Sequence, residues 1–383
     1  MSIASPISRQ RRIIHLIDSL QPINYGVWGA AISTAAYLAE KGWTTEVWYP
    51  RLEEPPPSTA HVHFEPLSQT DGRTFRALCE RRQLDTDVCI IHSHGSWSYA
   101  TKWGARLAKR GFSWIYCPQG MLEPWSLAQK ALKKSIYYRL FEQPQARRAS
   151  AIRAVSLPEQ RNLQRLFTNG PPIRLIPNGV DHFHLNTKKQ ATRPQQLLFL
   201  GRLHVKKGVT PLVAAWLQSK LARSSDFELH LIGPDQGELA QIQQLLRRHP
   251  SLSMRVHLRG PLYGAEKLAA LRQGSYIALP SFSEGFPSTV IEGVSQGLLP
   301  LISEGCNFPE LLEAGHGLRI GTTAASIVPA LDRLATFTAE ELSAAQRAAF
   351  DFVRLRYALP VIADQQDILY HELLSPTSTT TGE

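Results

Sequence analysis

Tyr276-Ile277-Ala278-Leu279, and after a short gap Glu284-Gly285-Phe286-Pro287-Ser288-Thr289-Val290-Ile291-Glu292, reads as the end of a buried strand, a loop marked by glycine and proline, and the start of a helix. A strand that empties into a helix N-terminus is the repeating unit of a doubly wound α/β sheet, and the junction presents unpaired N–H groups that attract an anion. Pro287 suits a first helical turn, with Ser288 and Thr289 as candidate caps. Glu284 in the loop and Glu292 a turn into the helix flank the anion site, which fits a ligand carrying a phosphate and several hydroxyls. Their spacing alone also fits two solvated carboxylates.

The same rhythm extends outward in both directions. In the second half, 197–200 empties into Gly201-Arg202 and Lys207-Gly208, and strands recur at 228–232, 256–258 and 299–302. In the first half, strand character appears at 13–17, 45–49, 88–91, 115–117 and 151–156, with a helix expected at 30–40. His92-Ser93-His94-Gly95 and Pro118-Gln119-Gly120-Met121 follow two of these strands, and loops after the carboxyl ends of parallel strands are where open α/β sheets bind ligands. Gly26-Val27-Trp28-Gly29 lacks the three-glycine spacing of a dinucleotide fingerprint. The expected fold class is therefore α/β, with two doubly wound Rossmann-like domains at 1–180 and 181–356. A polar linker is expected at 186–196, an exposed proline loop at 55–57 and a disordered Ser/Thr tail at 375–383.

With 383 residues, 43% hydrophobic and 19% charged, the chain is long enough for two cores and has the balance of a soluble protein. It contains no apolar run of about eighteen residues, and its basic N-terminus lacks the apolar stretch of a signal peptide, so the expected location is cytoplasmic. Cys79, Cys89, Cys117 and Cys306 are too scattered for a disulfide framework or a metal knuckle. A formal charge of +10 calls for an anionic partner, for which nucleic acid, an anionic membrane or a phosphorylated substrate all qualify. No aromatic–basic recognition motif supports nucleic acid.

Residues 127–148 are helical and basic. Leu132, Ile136 and Leu140 fall at steps of four, with Lys130, Lys133, Lys134, Tyr137 and Tyr138 on other faces. Two readings fit, a solvated helix over a core and a face that touches anionic lipid headgroups at the inner membrane surface.

The chemistry resides in two clusters. Arg202 and Lys207, beside a helix N-terminus, carry enough positive charge to hold a pyrophosphate and stabilise it as it leaves. Gly-Arg-x4-Lys-Gly from Gly201, followed by Pro280-Ser281-x-x-Glu284-Gly285-Phe286-Pro287 and then Glu292, resembles glycosyltransferase family 4, retaining enzymes of the GT-B fold. The likeness runs over nearly the whole chain. Ile176-Pro177-Asn178-Gly179-Val180-Asp181 matches the family's interdomain junction. Gly120-Met121-Leu122-Glu123-Pro124-Trp125 and Cys306-Asn307-Phe308-Pro309-Glu310 are similar to segments of members that build surface polysaccharides and lipopolysaccharide.

The resemblance implies two domains facing a cleft, with a terminal helix, 357–374, crossing back to the first and bent at Pro360. Phe352, Leu355, Val361, Ile362, Ile368 and Leu369 form the apolar stripe of that segment. It implies that Arg202 and Lys207 grip the donor diphosphate, Glu292 binds the ribose, Glu284 contacts the transferred sugar, and the backbone of Gly285, Phe286, Pro287 and Ser288 completes the pocket. Gly26 matches the family's first glycine-rich loop. The reaction so implied moves a sugar from a nucleotide-sugar donor to a glycan or lipid-linked acceptor, with no metal and no cofactor. Asp85-Thr86-Asp87 looks like a metal-binding motif of another glycosyltransferase fold but precedes its strand, and is read as a surface turn.

Gln119 stands where family members commonly carry a histidine, and an amide cannot carry a proton or charge at neutral pH. His94, with Gly120 and Gln119, is a candidate sugar or acceptor contact. His92 and His94 share one side if the strand continues through them, though no acidic or cysteine ligand lies nearby in sequence for a metal. A weakened nucleotide-sugar-binding protein of the same fold, or a nucleotide-sugar epimerase or hydrolase, are the competing functions.

Overall fold

The structure, a computed structural model, describes residues 10–21, 24–50, 59–129, 131–185 and 194–375. The proline loop at 55–57, most of the expected linker and the tail beyond Ser375 lie outside these residues. The chain divides into two units, Met1–Gly179 with Leu359–Glu383, and Val180–Ala358.

The first unit holds a seven-stranded sheet of β1 (Arg11–Ile17), β2 (Trp43–Pro50), β3 (Val62–Leu67), β4 (Cys89–His94), β5 (Ser113–Cys117), β6 (Ala151–Ala154) and β7 (Ile173–Leu175). Its order is β3-β2-β1-β4-β5-β6-β7 and every pair is parallel. The second unit holds six strands, β8 (Gln195–Leu200), β9 (Phe227–Ile232), β10 (Val256–Gly260), β11 (Tyr276–Leu279), β12 (Leu299–Ile302) and β13 (Leu318–Arg319), also parallel, in the order β10-β9-β8-β11-β12-β13. Both sheets are doubly wound. Their topological switch points lie between β1 and β4 and between β8 and β11, where the strand order reverses and open α/β sheets take ligands.

Parallel sheets are buried on both faces, so their strands are apolar throughout rather than alternating. In β1, Ile13, Ile14, Leu16 and Ile17 are all fully buried. The last helix, Leu359–Leu374, belongs to the first unit: Ile362, Ala363, Leu369 and Tyr370 pack on Ile13, Ile90, Ile115 and Ala151. Two polar contacts fix its register, Trp43 Nε1 donating to Asp367 Oδ1 at 2.7 Å and Thr34 Oγ1 to Gln366 Oε1 at 2.7 Å.

Several local expectations differ from the structure. The strand expected at 88–91 continues to His94, because His92 and Ser93 pair in register with both neighbours. The helix expected at 30–40 is two, Tyr25–Ile32 and Ala35–Glu40, so Gly26 sits in a first helical turn rather than a loop. Pro360 does not bend a continuing helix. Ala358 is extended, as a residue one or two before a proline-led start allows, and Pro360 lies in the first turn of the new one. Leu355 and Ile368 are exposed rather than part of an apolar stripe. Asp85-Thr86-Asp87 is a turn closed by Asp87 N–H on Asp85 Oδ1 at 3.0 Å.

The basic segment breaks into Pro124–Ala128, Ala131–Tyr137, a π-turn at Tyr138–Glu142 and Gln143–Ala146. Leu132 and Leu140 are 77% and 64% exposed, and Ile136, Tyr137 and Phe141 are exposed beside them, so the reading of an apolar stripe resting on a core is corrected. The segment is anchored instead by buried Glu142, which accepts from Tyr116 Oη at 2.7 Å and Thr101 Oγ1 at 2.8 Å. No helix among the described residues is long and apolar enough to cross a membrane.

Candidate functional site

In the second unit, the loops leaving β8 and β11 meet at the switch point. The turn Val205–Lys207 ends on Gly208, whose φ of +67° is left-handed, and the helix Val209–Gln218 starts there. A Cβ on Gly208 would overlap the Pro280 carbonyl oxygen, so only glycine lets the two loops close on each other. Phe282 N–H donates to Lys206 O at 2.8 Å across that contact. The closure brings Lys207 Nζ to 2.7 and 2.8 Å from the two oxygens of Glu284, an ion pair largely removed from water.

Glu284 is held from behind by residues that sequence reasoning did not single out for this task. Its N–H donates to Gly305 O at 2.7 Å and its carbonyl accepts from Asn307 Nδ2 at 2.6 Å. Asn307 adopts a left-handed φ of +56°, a conformation Asn tolerates better than most residues. The Cys306-Asn307-Phe308 segment was the available signal. Cys306 is packed beneath it, donating to Leu279 O at 3.0 Å, and burial pushes its thiol up to about 12, so it is inert.

Pro287 is at the N-cap position of the helix Ser288–Ser295, not in its first turn, and neither Ser288 nor Thr289 caps it through a side chain. Pro287 has no N–H, and Ser288 N–H donates to Phe286 O at 3.0 Å, so among Gly285 to Ser288 it is Gly285 and Phe286 whose N–H groups remain for a ligand. Glu292 lies a turn into the helix, paired with Lys267 Nζ at 3.0 Å. Arg202 Nη1 donates to Gln236 Oε1 at 3.0 Å. The unit thus carries Arg202 and Lys207 in the loop after β8, and Glu284 in the loop after β11 with Glu292 on the helix that follows, the Lys207–Glu284 pair joining the two loops at the switch point.

The first unit gathers its own set at the carboxyl ends of β1, β4 and β5. Gln119, with φ +51°, and Gly120, with φ +77°, make a tight turn after β5. Gln119 Nε2 lies 3.3 Å from Val27 O, next to Gly26, and 2.8 Å from His94 Nδ1. A carbonyl only accepts, so the amide nitrogen donates to both. His94 therefore carries its proton on Nε2 and donates to His15 Nδ1 at 2.8 Å. His94 is buried with both ring nitrogens engaged, so it reaches a ligand only by orienting Gln119. Gly26 meets nothing where a Cβ would stand, leaving its backbone open to close approach.

Burial first, then the charge of Arg153, holds His15 down to about 3, and burial, then the neighbouring histidines and then Arg153, keeps His92 and His94 well below the usual histidine range. All three are neutral near pH 7. Their ligand atoms lie within 4.8 Å of one another, which makes them a candidate metal set on distance. The electrostatics oppose it. Arg153 is fully buried and donates only to carbonyl oxygens of Ile176, Pro177 and Asn178, so a cation here would face a second buried cation with no carboxylate in the set. Arg153 instead clamps the junction segment.

Glu159 was also missed. Fully buried in the helix Leu157–Leu166, it accepts from Gly120 N–H at 2.5 Å and Val155 N–H at 2.7 Å, and so fixes the turn that carries Gln119. Burial pushes its carboxyl up to about 7, against the pull of the two N–H donors. A carboxyl whose folded value lies above its unfolded one contributes stability at low pH and loses it as pH climbs from the unfolded value of about 4.5 through about 7. Urea unfolding between pH 5 and 8 is expected to show this as a falling component of at most about 1.4 kcal/mol per pH unit, absent in Glu159→Gln.

Two family models match the chain. One, described as Glycosyl transferases group 1, covers residues 194–336, and one described as Glycosyl transferase 4-like domain covers 26–179. A curated relative, the GDP-mannose:cellobiosyl-diphosphopolyprenol alpha-mannosyltransferase of Xanthomonas oryzae pv. oryzae, is 29% identical over 149 residues, and the match spans 38% of each chain. Among solved structures, sucrose-phosphate synthase from Thermosynechococcus elongatus superposes with a TM-score of 0.77 at 20% identity, covering 95% of this chain and 100% of that one. Anabaena HepE in complex with UDP and glucose gives 0.74 at 16% identity over 94% and 100%, and WaaG, a glycosyltransferase involved in lipopolysaccharide biosynthesis, 0.69 at 13% over 93% and 99%. At such identities the structural likeness is one of fold, here GT-B.

Proposed function

We propose, from the premise that this chain belongs to glycosyltransferase family 4, that it moves a sugar with retention from a nucleotide-sugar donor to a lipid-linked or polysaccharide acceptor in cell-surface glycan synthesis. The observation that carries the reading is the Lys207–Glu284 pair at the switch point of the second sheet. It joins the loops that leave β8 and β11, and the second of these loops also carries the N–H groups of Gly285 and Phe286, which have no hydrogen-bond partner among the described residues. Arg202 and Lys207 take the donor diphosphate, and Glu292 accepts from the ribose hydroxyls. Glu284 hydrogen-bonds the transferred sugar. As the bond from the anomeric carbon to the diphosphate oxygen lengthens, negative charge grows on the leaving group, and Lys207 is the group placed to meet it. The departing phosphate takes the acceptor's proton, so the chemistry calls for no metal. The solved neighbour with UDP and glucose supports a nucleotide-sugar donor.

The acceptor reading rests on the mannosyltransferase relative, whose name gives a cellobiosyl-diphosphopolyprenol as acceptor, and on the outward-facing apolar stripe Leu132, Ile136, Leu140 and Phe141 with Lys133 and Arg139 beside it. An exposed apolar face rimmed by cations suits an anionic lipid surface, and the proposed place is peripheral, at the cytoplasmic face of a membrane. The deciding experiment is a donor panel of UDP, GDP and ADP sugars with a polyprenyl-diphosphate-linked acceptor in anionic vesicles. One base is expected to raise the melting temperature, and its sugar nucleotide to yield free nucleoside diphosphate and an extended lipid by mass spectrometry. Binding without released diphosphate would identify a sugar-nucleotide-binding protein, and a product still attached to nucleotide would identify an epimerase.

A further inference from the structure

A second cluster of ligating side chains lies in the second unit, on the opposite side of β9 from the buried Leu229 and Leu231 and short of the strand's carboxyl end. Glu228 and His230 are two apart on β9 and so share one face, and His257 on β10 is the register partner of His230. His230 Nε2 is 3.1 Å and His257 Nε2 3.4 Å from the same oxygen, Glu228 Oε2. All three ligand atoms lie within 4.8 Å of one another. A tetrahedral ion with ligand bonds of about 2.0–2.2 Å needs donor–donor edges of about 3.3–3.6 Å, near both separations.

One nitrogen in the set makes no hydrogen bond. His257 Nε2 is shielded from solvent and has no hydrogen-bond partner among the described residues, although it points at Glu228. The set also carries its own negative charge, unlike His15, His92 and His94.

We propose that Glu228, His230 and His257 form a site for a borderline divalent transition ion of the zinc class, which staples the edge strand β10 to β9. Imidazole with carboxylate favours Zn²⁺, Co²⁺, Ni²⁺ or Cu²⁺ over Mg²⁺ or Ca²⁺. One rearrangement is required. Arg259 Nε donates to His230 Nδ1 at 3.2 Å, which places the imidazole proton on Nε2, toward Glu228. Coordination needs the other neutral tautomer, with the proton on Nδ1 and the Nε2 lone pair free. Arg259 is exposed and turns into solvent as the ion enters, with no net proton released from His230. The ion is structural and stands apart from the transfer chemistry.

Titration of the metal-free full chain with Co²⁺, followed by visible absorption, is expected to give a one-to-one band that added Zn²⁺ removes. Zn²⁺ is expected to raise the melting temperature. Glu228→Gln and His257→Ala should each weaken Co²⁺ at least tenfold with unchanged circular dichroism. Absence of the one-to-one band, or wild-type affinity in both variants, overturns the proposal. Should either variant misfold, Arg259→Ala decides: several-fold tighter binding supports the site, and equal or weaker binding overturns it.

Discussion

Lys207→Ala is expected to lower kcat by about 10²–10³-fold while the protein stays folded. In the proposed reaction the ammonium is the cation that meets charge on the leaving diphosphate. It also neutralises Glu284 at 2.7 Å, so its loss leaves a carboxylate largely out of water beside the place where an anion binds. Both effects oppose donor binding and departure. Glu284→Ala should lose transfer on a similar scale, because in the proposed function it removes the sugar contact and frees Lys207 to collapse onto the diphosphate. The two residues act as a unit, so the double variant should be little worse than either single one. Steady-state rates with the donor identified by the panel, alongside circular dichroism, check this, and near-normal turnover in either single variant refutes the assigned roles.

Gly208→Ala is expected to have the second-largest effect although glycine has no side chain to offer a ligand. A left-handed φ costs an L-residue about 1–2 kcal/mol, and the new methyl would overlap the Pro280 carbonyl unless one of the two loops withdraws. That withdrawal separates Lys207 from Glu284. A displacement of about 1 Å in a catalytic group costs on the order of 10²-fold in rate, so the variant should combine a modest fall in melting temperature with a large fall in kcat. A wild-type rate with a lowered melting temperature would show that the loops close without the glycine.

These two residues also mark how far the sequence could be read. Arg202, Lys207, Glu284 and Glu292 announce themselves because each stands at a fixed offset from a strand end, and strand ends are legible as short apolar runs. The partners that hold them are not at fixed offsets. Asn307 supports Glu284 from the loop after β12, and Glu159 supports Gly120 from the helix after β6; each contact depends on strand order, which no local pattern encodes. His15 is concealed in the same way. In sequence it is one polar residue in an apolar run, and only the pairing of β1 with β4 sets it against His92 and His94.

Of the two readings of the basic segment, the one that rests its apolar stripe on a core fails for a different reason. Steps of four establish that Leu132, Ile136 and Leu140 share a face but do not say which way the face turns. A buried carboxylate, Glu142, decided that by tying the opposite side to Tyr116 and Thr101. Periodicity reports amphipathicity, and the direction of the apolar face depends on what the polar residues bind.

The helix Leu359–Leu374 closes the face of a sheet whose strands end near residue 175. During synthesis at roughly 5–20 residues per second, the first unit therefore waits on the order of tens of seconds, while the whole second unit is made, before its covering helix leaves the ribosome. Throughout that interval Ile13, Ile90 and Ile115 lack their native cover. The second unit, contiguous in sequence, has all its residues before the first unit receives its last helix, so the order in which the units can be completed runs against the order in which they are begun.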